Sequence, residues 1–400
     1  MELTLEEKRM LEGQEGKATR KAMEILVAIG TIYAADRLLP VASVQVAGVS
    51  YDNLGEAGLE FLAEMASQAA QAKVLTTLNP AGMDIENWQI LGIDPDFARN
   101  QQRVIEAYTK MGVVPTCSCT PYLFGNVPHY GEHIAWAESS AVCYANSVLG
   151  ARTNREGGPS ALAASLTGKT PNYGFHLSEN RRPTFTVQVQ ATLTGTHDFG
   201  TLGISIGKAI EARKVKAIPY IRGIPEAILE ELKSFCASIA TYGGLALFHM
   251  EGITPESILF EAPTEDMTIT RRDLEAANGL VNKMTAKHPV DFVSLGCPHL
   301  SLWEIARIAK QLQGKKVTKT FWITTARPTK RIADQMGYTS IIEAAGAVFA
   351  TDTCCVVAPI QGRFKVIATD SAKACYYAAS KNGFETNFLP FDEVIAEALK

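Results

Sequence analysis

Cys119 lies in Thr116-Cys-Ser-Cys-Thr-Pro-Tyr122, Cys297 in Gly296-Cys-Pro-His299, and Cys354 in Thr351-Asp-Thr-Cys-Cys355. Turn-forming residues flank each of these thiols. Cys143, Cys236 and Cys375 have apolar neighbours instead and read as small core residues. Loop thiols gathered by a fold ligate an iron–sulfur cluster or a single metal ion, and from spacing alone that reading stands level with ordinary buried cysteines. Cys117 and Cys355 sit beside two of the three and compete for the same role. None of the eight cysteines falls in a Cys-x-x-Cys pair, which excludes zinc ribbons and thioredoxin-type motifs.

The elements that would position these thiols follow a regular pattern. Asp291-Phe-Val-Ser-Leu295 predicts a strand running into the Cys297 loop, and Ser301-Leu-Trp-Glu304 opens a helix with a capping box. Thr320-Phe-Trp-Ile-Thr324 predicts the next strand, followed by Arg327. Gly346-Ala-Val-Phe-Ala350 leads to Cys354, and Lys365-Val-Ile-Ala-Thr369 leads to Lys373 and another helix. Strand–loop–helix units recurring every ~20–30 residues predict a parallel α/β sheet. Cys297, Arg327, Cys354 and Lys373 thus all fall at strand carboxyl ends. That edge of an open parallel sheet is where ligands bind, beside helix amino termini that favour anions and thiolates.

The first half reads as α-rich. Thr4-Leu-Glu-Glu7 has the capping-box pattern, helices are expected from Lys17 to Ala35 and from Glu56 to Ala72, and short strands at Val41–Val46 and Val74–Leu78. Phe185-Thr-Val-Gln-Val-Gln-Ala191 alternates, which predicts a strand with one exposed face. Gly203-Ile-Ser-Ile-Gly-Lys208 superficially resembles a phosphate loop, but it lacks the first glycine (Leu202) and the closing hydroxyl (Ala209), so it is rejected as a nucleotide site.

Composition bounds the rest. With 400 residues, 46% apolar and 20% charged, and a net charge of −4, the chain is a cored globular protein of more than one domain. A disordered protein, a coiled coil and a general nucleic-acid binder are excluded. Met111 to Gly131 carries no charged residue, yet Pro115, Pro121 and Pro128 break any helix there, so a membrane span is excluded and a buried loop remains. The acidic opening, Met1-Glu-Leu-Thr-Leu-Glu-Glu7, is unlike a signal peptide and points to a cytoplasmic chain, whose reducing environment disfavours disulfides.

Longer strings resemble one known family, aconitase X. They are Cys119-Thr-Pro-Tyr122, Gly131-Glu-His-Ile-Ala-Trp-Ala-Glu-Ser-Ser140, Ala145-Asn-Ser-Val-Leu-Gly-Ala-Arg-Thr-Asn-Arg-Glu-Gly-Gly-Pro-Ser160, Leu295-Gly-Cys-Pro-His299, Asp352-Thr-Cys354 and Ala368-Thr-Asp-Ser-Ala-Lys373. The resemblance implies an aconitase-like α/β fold of parallel-sheet α/β/α domains. We expect an α-rich amino-terminal region over 1–110, a loop-rich cluster-binding region over 111–285 and a parallel α/β domain over 286–400. It further implies an iron-dependent dehydratase in which Cys119, Cys297 and Cys354 hold an iron–sulfur cluster, expected as [4Fe-4S], with other iron forms possible. Three thiolates would leave one iron open as a Lewis acid for a leaving hydroxyl.

Family members act on two substrates, cis-3-hydroxy-L-proline or (R)-5-phosphomevalonate. A chain ending at Lys400 leaves no room for the family's fused swivelling part, so it resembles a separate large subunit, whose small swivelling partner supplies the catalytic serine. Gly48, Val49 and Ser50, with Asn79 and Pro80, resemble the family's substrate-contacting loops. Arg152, Arg155, Arg327 and Lys373 would supply cationic donors for a phosphorylated carboxylate, although ion pairing of Arg152 and Arg155 with Glu132, Glu138 or Glu156 is an equal reading. Glu138 and Ser139 would orient substrate or metal-bound water, and His133, His176 and His299 are further acid–base candidates. A non-catalytic iron–sulfur module and a mononuclear metal site are the competing readings.

Overall fold

The computed structural model describes residues 1–213, 217–264, 266–285 and 288–400. Residue 286, where the third segment is expected to open, lies outside the described residues. Three parallel sheets follow one another along the chain. The first has the order Leu75–Leu78, Ser43–Val46, Ala135–Trp136. A two-stranded antiparallel pair, Leu38–Pro40 with Lys169–Pro171, stands apart from it. The second sheet runs His249–Met250, Pro219–Arg222, Phe185–Val189, Asp266–Ile269. The third runs Val348–Thr351, Thr320–Thr325, Phe292–Leu295, Val366–Thr369, Glu385–Phe388. The expected strands of the last third are all present, with parallel pairing throughout.

The third sheet is buried on both faces, as parallel sheets with helical crossovers are. Side chains alternate along each strand: Val293, Leu295, Phe321 and Ile323 enter one cluster with Ile305, Ile308 and Ile395 from the covering helices. Phe292, Trp322 and Ile367 enter another with Met83, Leu91 and Ile93 of the amino-terminal region. That second cluster joins the two ends of the chain and brings the carboxyl edge of the third sheet against the loops of the first.

The helix expected from Lys17 to Ala35 spans Lys17–Ile32, whereas the one expected from Glu56 to Ala72 lies five residues earlier, Tyr51–Ser67, with a non-helical Gly55 inside it. Thr4 and Ser301 both close capping boxes, with Glu7 and Glu304. Phe185–Val189 departs from expectation. Its alternation predicts an exposed face, but only Gln188 escapes full burial. The strand is internal to its parallel sheet and packs with Phe199 and Phe235 from two helices, Gly195–Arg213 and Leu229–Tyr242. The rejected phosphate-loop segment is helical, and its glycines serve close packing of those two helices. A Cβ on Gly203 would stand 2.6 Å from Ser238 Cβ, and one on Gly207 2.6 Å from the Gly243 nitrogen.

Candidate functional site

The uncharged segment after Met111 is a loop, buried continuously over Cys117–Tyr122 but exposed at Val114, Val127 and Tyr130, and in its buried part side-chain amides replace the backbone partners it lacks. Ser118 N–H donates to the Leu78 carbonyl (2.9 Å), and Gln45 Nε2 donates to the Ser118 carbonyl (2.9 Å). Asn126 Nδ2 donates to Val44 O (3.2 Å) and Thr77 Oγ1 (3.0 Å). All four partners belong to the first sheet, so Cys119 is presented at its carboxyl edge by a loop whose Cys117, Ser118, Cys119 and Thr120 are all buried.

Cys297 and Cys354 reach the same place from the third sheet. Gly296 has φ 110°, and a Cβ there would meet the Thr324 carbonyl at 2.1 Å, so only glycine can turn the chain into the Cys297 loop. Backbone N–H groups of Val356 and Val357 point at the Cys354 sulfur. The His299 N–H donates to Cys119 Sγ at 3.2 Å. The three thiols lie close enough to act on one another electrostatically, together with Lys373 and Glu138. Cys117 faces Asp352 and Arg327, whereas Cys355 lies near Cys354 and Cys297 but bonds Ser294 and packs in the apolar cluster under the sheet.

The electrostatics suit a cationic guest. Burial, reinforced by neighbouring thiols and Glu138, lifts Cys119 well above a thiol's usual range. Burial and Cys354 push Cys297 up to about 12, against the pull of Lys373 and a Ser371 hydrogen bond. A metal centre would reverse this, because bound iron favours the thiolate. Lys373 is largely buried on the helix Ala372–Tyr377, and burial works against its charge. The Glu138 carboxylate and the thiols of Cys297 and Cys119 outweigh that and hold it protonated. Lys373 Nζ pairs with Glu138 Oε1 and lies 3.4 Å from Ser139 Oγ. Glu138 is the amino-terminal cap of the helix Ser139–Ser147. Burial raises its carboxyl, but Lys373, Ser140 Oγ (2.5 Å) and the Ala141 N–H (2.7 Å) together bring it below the ordinary range.

The loops expected to contact substrate border this site. Ser50 Oγ donates to the Val357 carbonyl at 3.1 Å, and Lys381, which pairs with Asp52 at 2.8 Å, donates to the Val356 carbonyl at 3.2 Å. Ser50, which follows Gly48 and Val49, is thereby tied to the Cys354 loop. Asn79 and Pro80 end the strand Leu75–Leu78; the next residue, Ala81, donates its N–H to Asp352 O at 2.9 Å, and Asn79 Oδ1 is buried without a partner among the described residues. Gly48 also lines an apolar cavity of 480 Å³ with Phe61, Tyr108 and Gly158.

The arginines differ. Arg327 bonds Asp84 and Glu86 (each 2.7 Å) and Asp352, so its donors are committed within the protein. Arg152 donates to His176 O (3.1 Å) and Ser178 Oγ (2.9 Å), beside a His133–His176 pair whose Nδ1 atoms are 2.9 Å apart. Arg155 is exposed and donates to Ala240 O at 3.3 Å. Among the described residues neither Arg152 nor Arg155 is in an ion pair with Glu132, Glu138 or Glu156; Glu156 bonds Ser160 and Thr170.

Two supports of the site carry little signal in the sequence. Gln101, wholly buried, accepts from the N–H groups of Tyr51 and Gly82 (2.9 Å each) and donates to Val49 O (3.0 Å), bracing both candidate substrate loops. Lys233 and Glu304 form a buried pair (2.5 Å), and Lys233 also donates to His299 O at 2.9 Å. Glu304 was legible as a cap; nothing marked Lys233 or Gln101.

Among the described residues no three His, Cys, Asp or Glu side chains converge on one point as a single ion requires. Cubane thiolates each bind a different iron, so a looser ring of three thiols with a lysine and inward N–H groups fits an iron–sulfur cluster. Family models for the first, second and third domains of aconitase X match residues 1–179, 183–278 and 290–400. The chain belongs to the aconitase X family.

It is 47% identical to the phosphomevalonate dehydratase large subunit of Methanothermobacter thermautotrophicus, over 95% of this chain and 94% of that one. It is 31% identical to the cis-3-hydroxy-L-proline dehydratase of Hypocrea jecorina, over 96% of this chain but 66% of that protein. A crystal structure of Thermococcus kodakaraensis aconitase X in its holo form matches with a TM-score of 0.91 and 45% identity, each chain covered completely. The aconitase-like parallel α/β fold is thereby established.

Proposed function

We propose that this chain is the large, catalytic subunit of an iron–sulfur hydro-lyase. It dehydrates (R)-5-phosphomevalonate to trans-anhydromevalonate 5-phosphate in the archaeal mevalonate pathway, paired with a small swivelling subunit. The observation that carries the substrate is full-length similarity at 44–47% identity to four phosphomevalonate dehydratase large subunits, against 31% to hydroxyproline dehydratases whose length it only partly spans. Among the described residues no helix is long and apolar enough to cross a membrane.

Cys119, Cys297 and Cys354 would hold the cluster, since all three act on Lys373, whereas Cys355, though near Cys297 and Cys354, bonds Ser294 and packs in the apolar cluster. When bound through three thiolates, a [4Fe-4S] cluster offers an open iron as Lewis acid for a departing hydroxyl. The protein's own residues do the rest. Lys373, kept cationic by Glu138, neutralises the substrate carboxylate and so eases loss of the neighbouring α-proton. Glu138 serves as a fixed charge that aims Lys373, because its carboxyl is held ionised. Ser139, within reach of Lys373, orients the substrate hydroxyl. Gly48, Val49, Ser50, Asn79 and Pro80 would supply the loops around the carbon skeleton, and Arg152 and Arg155 are the proposed donors to the phosphate, Arg155 being exposed and held by one bond to Ala240 O. Arg327 reaches an anion only by exchanging it for Glu86, its one exposed partner. The proton acceptor is the serine of the small subunit, so proton and hydroxyl leave with no net redox change.

Anaerobic reconstitution with the small subunit and assay on both compounds tests this. Turnover of phosphomevalonate is expected; turnover of cis-3-hydroxy-L-proline alone would reject the substrate. Iron and sulfide analysis with electron paramagnetic resonance tests the cluster, and zinc, or iron without sulfide, would reject it.

A further inference from the structure

We infer that His299 is the positioning residue that locks the three cysteine loops into one geometry, and that this lock sets the electronic environment of the group they hold. The inference rests on the cluster reading above. His299 lies two residues after Cys297 and is fully buried. Its backbone N–H donates to the sulfur of Cys119 at 3.2 Å. Its ring Nε2 lies 3.0 Å from the Thr353 carbonyl, the residue before Cys354. A carbonyl only accepts, so Nε2 carries the hydrogen, and Nδ1 accepts from the hydroxyl of Ser118 at 3.2 Å, the residue before Cys119.

One side chain therefore touches the residue preceding each of the other two thiols, while its own backbone is bonded to the Cys297 loop. The remaining polar atom is also fixed, because His299 O accepts from Lys233 Nζ at 2.9 Å. Lys233 is in turn paired with Glu304, which accepts from the Ser301 N–H at 2.8 Å. Movement of any one loop strains the other two through this residue. The N–H bond to Cys119 sulfur adds an electronic effect, since hydrogen bonds to ligand sulfurs shift the potential of an iron–sulfur group.

The test uses the full chain, reconstituted anaerobically with iron and sulfide, in wild-type, His299→Ala and His299→Gln forms. Gln can restore one arm of the ring's two, so it is the milder change and decides the matter if the alanine variant does not fold. Readouts are the paramagnetic resonance spectrum, the midpoint potential and the rate of iron release to a chelator. Loss of an outer partner of a metal ligand typically weakens metal retention about 10–100-fold. We expect release accelerated by that order in His299→Ala and by less in His299→Gln, with altered spectra and potential in both. A wild-type spectrum, potential and release rate in the glutamine variant would overturn the inference, as would a lower melting temperature with all three unchanged. If the wild-type chain takes up no iron and sulfide, the cluster reading itself falls and this inference with it.

Discussion

Replacing Lys373 by Met keeps the length of the stem and removes the charge that faces Glu138. Glu138 and Lys373 side chains are 4% and 11% exposed, and breaking such a buried pair from one side costs about 3–5 kcal/mol because the other charge is stranded. Here the figure falls at the lower end. Glu138 keeps Ser140 Oγ, the Ala141 N–H and a helix amino terminus, and the last of these alone is worth up to ~2 kcal/mol in a partly buried setting. The pH dependence carries more information than the size. In the native chain the Glu138 carboxyl lies below its ordinary value, so its contribution is present above that value and lost as the pH falls further. Without Lys373, burial dominates and lifts the carboxyl above the ordinary value. The penalty must then grow as the pH rises from the carboxylate range toward neutrality and relax on acidification. Glu138→Gln strands the ammonium instead; burial then lowers the Lys373 value, and its penalty must grow in the opposite direction, toward low pH. Urea unfolding of the metal-free chain at mildly acidic and mildly alkaline pH, followed by circular dichroism, reads both slopes. Two single variants with flat or same-signed slopes, or a Lys373→Met penalty under about 1 kcal/mol, would refute the reasoning.

Cys119→Ser, Cys297→Ser and Cys354→Ser should each abolish or sharply lower iron and sulfide uptake, while Cys117→Ser and Cys355→Ser retain it, as read by metal analysis after anaerobic reconstitution. Gln101→Leu strands two N–H groups and a carbonyl at about 1–3 kcal/mol each where water cannot replace it; the expected result is a lower unfolding midpoint and, in the assembled enzyme, a raised KM from loosened loops. Gly203→Ala forces a Cβ against Ser238 and the Ile239 nitrogen, so it should cost about 1–3 kcal/mol of stability, visible in thermal unfolding, and leave cluster content intact.

The carboxyl-edge thiols and the third sheet were readable because strand, loop and helix recur at regular spacing, and each loop carries its own turn formers. The burial of Phe185–Val189 was not, since alternation is shared by half-exposed strands and by internal strands whose second face happens to carry threonine and glutamine. Gln101 gives no signal either: a glutamine within the helix Pro95–Lys110 looks like solvent-facing surface until the loops it bonds are known. Arg327 shows the reverse error. Alone after a strand it reads as an anion receptor, but Asp84 and Glu86 lie more than 240 positions away in sequence, and only folding brings those acids to it.

The joining of chain ends at the cysteine loops bears on when the enzyme can become active. Lys373 meets Glu138 across 235 positions and His299 meets Cys119 across 180. An emerging polypeptide has no receptive pocket until almost its last helix is made. Under the proposed cluster reading, a truncation that removes only the final tenth of the protein would keep Cys119, Cys297 and Cys354 but lose the strand Val366–Thr369 and Lys373, so loading is expected only once the chain is nearly finished.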